Sequence, residues 1–475
     1  MFDDLRSFIA KLEEIGELKR VEGADWDLEI GAITELVAER KGPALLFDNI
    51  KGYSKGFRVA TNLFLTSKRC KVALGISEDV PDIEVVKWFK RKLDEYSPVK
   101  PKVVKDGPVL ENVVEGGDID LFRFPVPKWH EHDGGRYIGT GVITITKDPE
   151  EGWVNAGTYR VMIHDRNTLS FYASPGKHAT IMREKYWARG ESCPVVMVFG
   201  GDPILWWMAT CPLPWGMSEF DLTGWVKGRP VEVVEGKYTG LPIPATAEIA
   251  IEGEAPPPSV EARDEGPFGE WTGYYGSKVR REPVVKVKAI YYRHDPILHG
   301  QPPLKVHTWP AIPLHSAPFV WSMLEKAGIP GIKGVYVHGQ GNRCIAVVSV
   351  KQSYLGHAKQ VGTLTAALYQ GGACTGRWII VVDDDIDPAN IDEVLWALST
   401  RCDPETSIDL IRGCLDSALD PIIPPDKRAK GDLTMTKAII LACRPYHWIK
   451  EFPLVNVASE ELRRKVMEKY KHLFT

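Results

Sequence analysis

From about residue 110 to residue 305 the chain reads as short strands separated by turn residues, at 141–147, 153–161, 194–200, 230–236, 247–253 and 283–293. The last of these alternates, with Val285, Val287, Ala289 and Tyr291 on one face and Lys286 and Lys288 on the other. Many short strands at this spacing predict a β-barrel or sandwich, and Pro256-Pro257-Pro258 is a rigid connector within it. A closed or nearly closed sheet leaves few ways to arrange the rest of the chain, because flanking segments must pack outside it.

Both flanks carry the helical period instead. Residues 3–15 put Leu5, Phe8, Ile9, Leu12 and Ile15 on one face, with Gly16 as the stop. A helix over 28–40, strands at 44–47 and 57–64, and helices near 67–75 and 82–94 complete an α/β unit, which ends in a Pro/Lys/Gly-rich linker at 98–108. Beyond 305, Ser316 can cap a helix running to Gly328. Strands at 334–338 and 344–350, a helix over 356–370, a strand at 378–382 and a helix near 389–399 follow. Asp387 and Pro388 read as cap and first residue of that last helix. The acidic run Asp383–Asp385 lacks a ligand loop with its glycine and reads as a strand end. A terminal helix over 459–473 has Leu462, Val466, Tyr470 and Leu473 on one face, for docking on its own domain or on a neighbouring subunit. At 475 residues the chain exceeds one ordinary core, and the expected α+β architecture has domains at 1–108, 109–305 and 306–475.

A formal charge of −4 argues against a nucleic-acid binder, which needs a basic surplus to neutralise phosphates. No stretch has the length of a membrane span, and the chain opens on an amphipathic helix rather than a signal peptide. Eight scattered cysteines without a CxxC pair fit reduced thiols in a cytoplasmic protein.

The chemistry centres on the turn Asp264–Gly276, where Glu265 and Glu270 flank Gly266-Pro267-Phe268-Gly269. Glycines and a proline let such a turn fold back and bring both carboxylates to one side. Two carboxylates held close and dry titrate as a pair, so one can stay protonated near neutral pH and act as a general acid. A solvated loop remains the alternative for the motif alone. Asn155, His178 and Glu219 add an amide oxygen, an imidazole and a carboxylate that can bind Mn²⁺ or Mg²⁺ and leave positions for phosphate. Their spacings of 23 and 41 residues match no local metal motif. There is no P-loop and no GxSxG elbow.

Six motifs in this order carry a whole-chain resemblance: NAGTYR (155–160), PGKH (175–178), MSEFD (217–221), EGPFGEWTGYYG (265–276), GHAKQVG (356–362) and VVDDDIDP (381–388). The chain resembles the UbiD family of prenylated-flavin-dependent decarboxylases. The resemblance implies a split β-barrel flavin domain between an N-terminal α/β domain and a C-terminal oligomerisation domain. It implies metal ligands at Asn155, His178 and Glu219, and a catalytic network of Arg160, Glu265 and Glu270. Flavin contacts would come from the backbone of Thr158, Tyr159 and Arg160, from Tyr172, Ala173 and Ser174, and from Lys177, His178 and Lys359. The implied cofactors are prenylated FMN, Mn²⁺ (or Mg²⁺) and K⁺, with a separate UbiX-type flavin prenyltransferase as supplier.

Loss of CO₂ from an sp² carbon leaves an electron pair that side chains alone cannot accept, so a cofactor must supply the sink. The implied substrate is an aromatic carboxylic acid, a hydroxyaryl acid first, and the implied enzyme is a homo-oligomer. Trp206, Trp207, Trp271 and His307 can line a flat pocket, and Trp215 lies near the same motifs. Decarboxylation or carboxylation of a heteroaromatic or α,β-unsaturated acid stays open. So do a two-carboxylate glycoside hydrolase and a silent binding subunit. One tension is visible: on a flat strand Asn155 and Arg160 have opposite parity, so both serve one site only if the strand bulges or twists near Gly157.

Overall fold

A computed structural model describes residues 1–276, 278–305, 309–339, 343–369 and 374–473. The central element is a ten-stranded sheet. Its path runs Tyr137–Gly139, Val161–Asp165, Thr168–Ser170, Arg280–Tyr292, Ile249–Ala255, Cys193–Phe199, Val142–Lys147 and Val154–Gly157, with Asn112–Glu115 and Ala262–Glu265 added to Arg280–Tyr292. The expected single strand over 153–161 is two strands. Val154–Gly157 lies at one end of the path and Val161–Asp165 is second from the other. Residues 158–160 therefore cross the gap where the half-barrel fails to close, and their backbone is in no ladder. That break removes the parity conflict between Asn155 and Arg160, since the two no longer share one pleat.

The long strand Arg280–Tyr292 keeps Val285, Val287, Ala289 and Tyr291 buried, yet Val284 and Ile290 are buried as well. Both faces of the sheet are thus covered in its middle. One core joins the N-terminal helices, one sheet face and the C-terminal sheet, while the second fills the opposite face. Three helices interrupt what the sequence presents as all strand: His178–Ala188, Pro203–Met208 and Glu219–Lys227. The helix Pro203–Met208 is buried on every side, which hides its period from a pattern search.

The N-terminal α/β unit forms much as its pattern predicts. The helix Leu5–Glu14 buries Leu5, Phe8, Ile9 and Leu12, and Asp4 caps it through the Ser7 amide. Its sheet runs Leu18–Glu22, Ala44–Asp48 and Arg58–Thr61, and then takes Ile297–His299 as a parallel fourth strand from far along the chain, with Ile297 paired to Arg58. The stretch expected as a linker adds Lys102–Val103 to a three-stranded sheet.

The C-terminal unit is a five-stranded sheet ordered Ile332–His338, Ile345–Val350, Trp378–Asp383, Thr434–Ala442 and Ile408–Leu415. Two expectations fail there. The helix Ile391–Arg401 starts later than predicted and is capped by Asn390, whose side chain accepts from the Asp392 and Glu393 amides, while Asp387 accepts from the Ala389 amide one turn earlier. The terminal helix Glu460–Lys469 buries no residue, so it does not dock on its own domain. Asp383 does end a strand, and it binds Arg401 and the Arg444 amide rather than forming a metal loop.

Candidate active site

Glu265 ends the strand Ala262–Glu265 opposite Arg280, and the chain then leaves the sheet as a loop that carries Glu270. Gly266 turns that corner at φ 93°, a conformation that a side chain would strain, next to a cis Gly266–Pro267 bond. Gly134 lies against this turn so closely that a Cβ there would stand 2.0 Å from the Gly266 carbonyl oxygen. Its amide donates to the Pro267 carbonyl at 2.8 Å. The turn is therefore fixed by backbone packing.

Arg160, in the gap of the half-barrel, holds both glutamates. Its Nε and Nη2 donate to the two oxygens of Glu265 at 2.9 and 2.7 Å, and Nη1 donates to Glu270. Tyr137 donates its hydroxyl to Glu265 Oε1 at 2.9 Å. Glu265 is fully buried and forms no part of a cavity wall, whereas Glu270 lines one. The two carboxyls consequently differ in environment. Glu265 has a bidentate cation partner and a hydroxyl donor. Glu270 has one bond to the guanidinium, and burial pushes its pKa up, with Arg160 opposing and the charge of Glu265 adding to the rise. Burial also works against charge on Arg160, but the two glutamates outweigh it and hold the guanidinium above its ordinary range. The ring of Tyr172 lies 4.2 Å from the Arg160 guanidinium carbon and that of Phe268 5.5 Å, which shields the pair from water.

Two adjoining cavities share Thr158, Tyr159, Lys177, Thr210 and Arg343 as walls. The first, about 230 Å³, takes in Arg160, Tyr172, Ala173, Ser174 and Glu270 together with Trp206, Phe268, Trp271 and Trp309. The second, about 420 Å³, takes in Asn155, His178 and Glu219. Among the described residues no cluster of three His, Cys, Asp or Glu could hold a metal, and the sequence-predicted set supplies only two of these types beside an amide. That set is nonetheless short of a positive charge. The Glu219 carboxyl is pushed up to about 8 by burial, although the Ala156 amide donates to it at 2.7 Å. Asn155 Nδ2 is buried with no acceptor, and turning the amide over would present its oxygen there instead. His178 is held below its ordinary range by burial and then by Lys177, which favours the neutral, metal-binding imidazole. Trp153 and Trp215 pack edge-on against it, each with ring centres 5.4 Å away. His178 and Glu219 are each the first residue of a helix that the sequence reading missed.

Not every expected residue is here. Lys359 lies on the helix His357–Leu368, pairs with Asp409 and lines a separate surface groove rather than either cavity. Trp207 is fully buried against Phe64 and serves the core, while its neighbour Trp206 reaches the cavity. His307 lies outside the described residues. Three residues went unnoticed in the sequence: Tyr137, Trp309 and Arg343. For Tyr137 a signal existed in the preceding Gly134-Gly135 pair, which marks a close backbone approach. The other two have no local signal.

Three sequence families match in succession. They are the 3-octaprenyl-4-hydroxybenzoate carboxy-lyase N-terminal domain over residues 9–87, its Rift-related domain over 102–305 and its C-terminal domain over 312–442. A phenolic acid decarboxylase of Streptomyces sp. (strain D7) is 32% identical over 436 residues, covering 89% of this chain and 90% of that protein. A pyrrole-2-carboxylic acid decarboxylase of Pseudomonas aeruginosa is 34% identical over 450 residues, covering 90% and 89%. Among solved structures, the UbiD-class enzyme HmfF of Pelotomaculum thermopropionicum in complex with FMN superposes with a TM-score of 0.86 at 26% identity, over 98% of this chain and 100% of that one.

Proposed function

This chain belongs to the UbiD family of carboxy-lyases, and from that premise we propose that it reversibly decarboxylates an aromatic acid, first among them a hydroxyaryl acid, with prenylated FMN and a divalent cation. The observation that carries the reading is the unequal environment of the two glutamates on Arg160. One is locked as an ion pair, and the other is a cavity-lining carboxyl whose burial favours its protonated form. The two-carboxylate glycosidase reading falls with membership of the family.

The residues present fit the cofactors. Two cavities joined end to end, one walled by aromatic rings and the other by polar groups, suit a flat ligand with a charged tail. Asn155, His178 and Glu219 would hold Mn²⁺ or Mg²⁺, whose positive charge would neutralise the buried carboxylate and favour a phosphate nearby; K⁺ would accompany it. The unpaired backbone of Thr158–Arg160, with Tyr172–Ser174 opposite, would hold the flavin edge. When bound, the prenylated flavin supplies the electron sink that loss of CO₂ from an sp² carbon requires.

The chain's own part is orientation and proton delivery. Trp206, Trp271 and Trp309 offer faces to a flat acid and exclude water from it. Arg160 grips Glu265 through two hydrogen bonds and fixes Glu270 at the cavity wall. Glu270, protonated, gives its proton to the carbon that has lost CO₂, and solvent returns it for the next turnover. In the carboxylation direction the ionised Glu270 removes that proton. The pyrrole-2-carboxylic acid decarboxylase among the relatives favours a heteroaromatic acid as the second reading.

The proposed enzyme is a cytoplasmic homo-oligomer that receives its cofactor from a UbiX-type prenyltransferase. The test is a panel of hydroxyaryl, heteroaryl and cinnamic-type acids given to protein co-expressed with such a prenyltransferase, with CO₂ release measured. Turnover of a hydroxyaryl acid supports the reading. A cofactor-loaded protein inert towards the whole panel refutes it.

A further inference from the structure

Arg343 precedes the strand Ile345–Val350 in a left-handed conformation, φ 66°, and forms a wall of both cavities. Its guanidinium carbon lies 4.4 Å from the Trp309 ring centre and 5.3 Å from that of Trp271. Nε and Nη2 are buried and have no hydrogen-bond partner among the described residues. Three other enclosed arginines have carboxylates, Arg69 with Glu17, Arg160 with Glu265 and Arg401 with Asp383, and Arg183 has the Phe171 carbonyl. Burial holds the Arg343 pKa below the usual range, and among the described residues the groups that favour its charge are Tyr369 and Cys211, both neutral at ordinary pH. The ammonium of Lys177, a second wall shared by both cavities, has no hydrogen-bond or ion-pair partner among the described residues either.

A guanidinium taken out of water without a counter-ion is destabilising, and the fold keeps it only where something else supplies the anion. Two indole rings hold the guanidinium in place without using its N–H donors, which leaves them for a planar or tetrahedral oxyanion. From this geometry we infer that Arg343, with Lys177, is an oxyanion-binding subsite at the junction of the two cavities, taking carboxylate or phosphate oxygens of a bound small molecule. Two sources have that chemistry under the function proposed above, on which this inference rests: the phosphate of the flavin mononucleotide, or a second anionic substituent on the aromatic acid. The subsite is separate from the Arg160 network, whose guanidinium is already saturated by two glutamates.

The experiment compares the full-length protein with Arg343→Met, which keeps bulk on the indole faces, and with Arg343→Lys, which keeps charge. With Mn²⁺ present, FMN and riboflavin binding are measured by flavin fluorescence quenching, and benzoate and terephthalate binding by calorimetry. Loss of at least tenfold in FMN affinity by Arg343→Met, with riboflavin unchanged, assigns the subsite to the phosphate. The same loss for terephthalate, with benzoate unchanged, assigns it to a substrate substituent. Arg343→Lys should recover most of either loss. The ligand-free Arg343→Met protein should unfold at the same or a higher temperature than wild type, because an uncompensated buried charge has gone. The inference is overturned if Arg343→Met binds all four ligands as wild type does. It is equally overturned if riboflavin and benzoate fall as far as FMN and terephthalate with a lowered unfolding midpoint, which marks a structural arginine. Failure of the proposed function looks different: wild type itself then binds neither flavin, and the benzoate–terephthalate comparison alone decides the subsite.

Discussion

Replacing Glu270 by glutamine separates chemistry from architecture at this site. Glu270 makes one bond to Arg160, and an amide oxygen can accept that same bond. The guanidinium keeps its bidentate partner Glu265, so no buried charge is stranded, and the fold should lose no more than about 1 kcal/mol. The transferable proton is gone, however. Losing a positioned general acid slows a reaction by about 10²- to 10⁴-fold, or about 3–5 kcal/mol in activation free energy at 1.36 kcal/mol per decade. Glu265→Gln reverses the balance. That carboxylate is fully buried, holds two guanidinium nitrogens and the Tyr137 hydroxyl, and its loss leaves Arg160 undercompensated, which costs about 3–5 kcal/mol of stability. The assay is single-turnover decarboxylation in D₂O, at matched flavin content, beside chemical unfolding of each variant. Wild type should place one solvent deuteron on the carbon that lost CO₂. Because burial raises the Glu270 pKa, the acid is present below that value, and the wild-type rate should fall as pH rises through it. The glutamine variant should show no such limb. A Glu270→Gln enzyme with a rate within threefold of wild type and full deuterium incorporation would refute the assignment and move the acid to Glu265.

Three further outcomes are expected. His178→Ala and Glu219→Ala should each lose bound Mn²⁺ and bound flavin together, read by metal analysis and flavin absorbance; normal content of both would make these residues structural. Tyr137→Phe should destabilise the protein by about 1–3 kcal/mol, since a buried carboxylate oxygen loses a donor, and an unchanged denaturation midpoint would contradict the hydrogen bond to Glu265. Protein made without a flavin prenyltransferase should be folded and inactive, and co-expression should restore turnover; full activity without it would exclude an external cofactor supplier.

The amino-acid sequence by itself determined whatever rests on local pattern. The face of Leu5, Phe8, Ile9 and Leu12 is apolar at helical spacing, and it is the buried face of the first helix. Five strands of the outer sheets, Ala44–Asp48, Arg58–Thr61, Ile332–His338, Ile345–Val350 and Trp378–Asp383, follow runs of apolar residues between turn signals, and six ordered motifs led to a family whose fold the chain has. Local pattern failed where burial is complete or where distant segments meet. The helices that begin at His178 and Glu219 lie in a region dense with strands, and Pro203–Met208 is apolar all round, so no amphipathic period marks it. The cap of Ile391–Arg401 went to Asn390 because its side chain reaches two free amides, which composition around Asp387 did not reveal. Lys359 looked like a site residue within a conspicuous motif, but helix His357–Leu368 turns it to Asp409 on the outside. Only the tertiary structure brought Glu265 and Glu270 onto the Arg160 guanidinium and Tyr137 onto Glu265, because each comes from a different strand end or loop and sequence distance carries no information about such closure. The same holds for Arg343: an arginine is ordinary in sequence, and it stands out once two tryptophan faces and two cavities surround it without an anion.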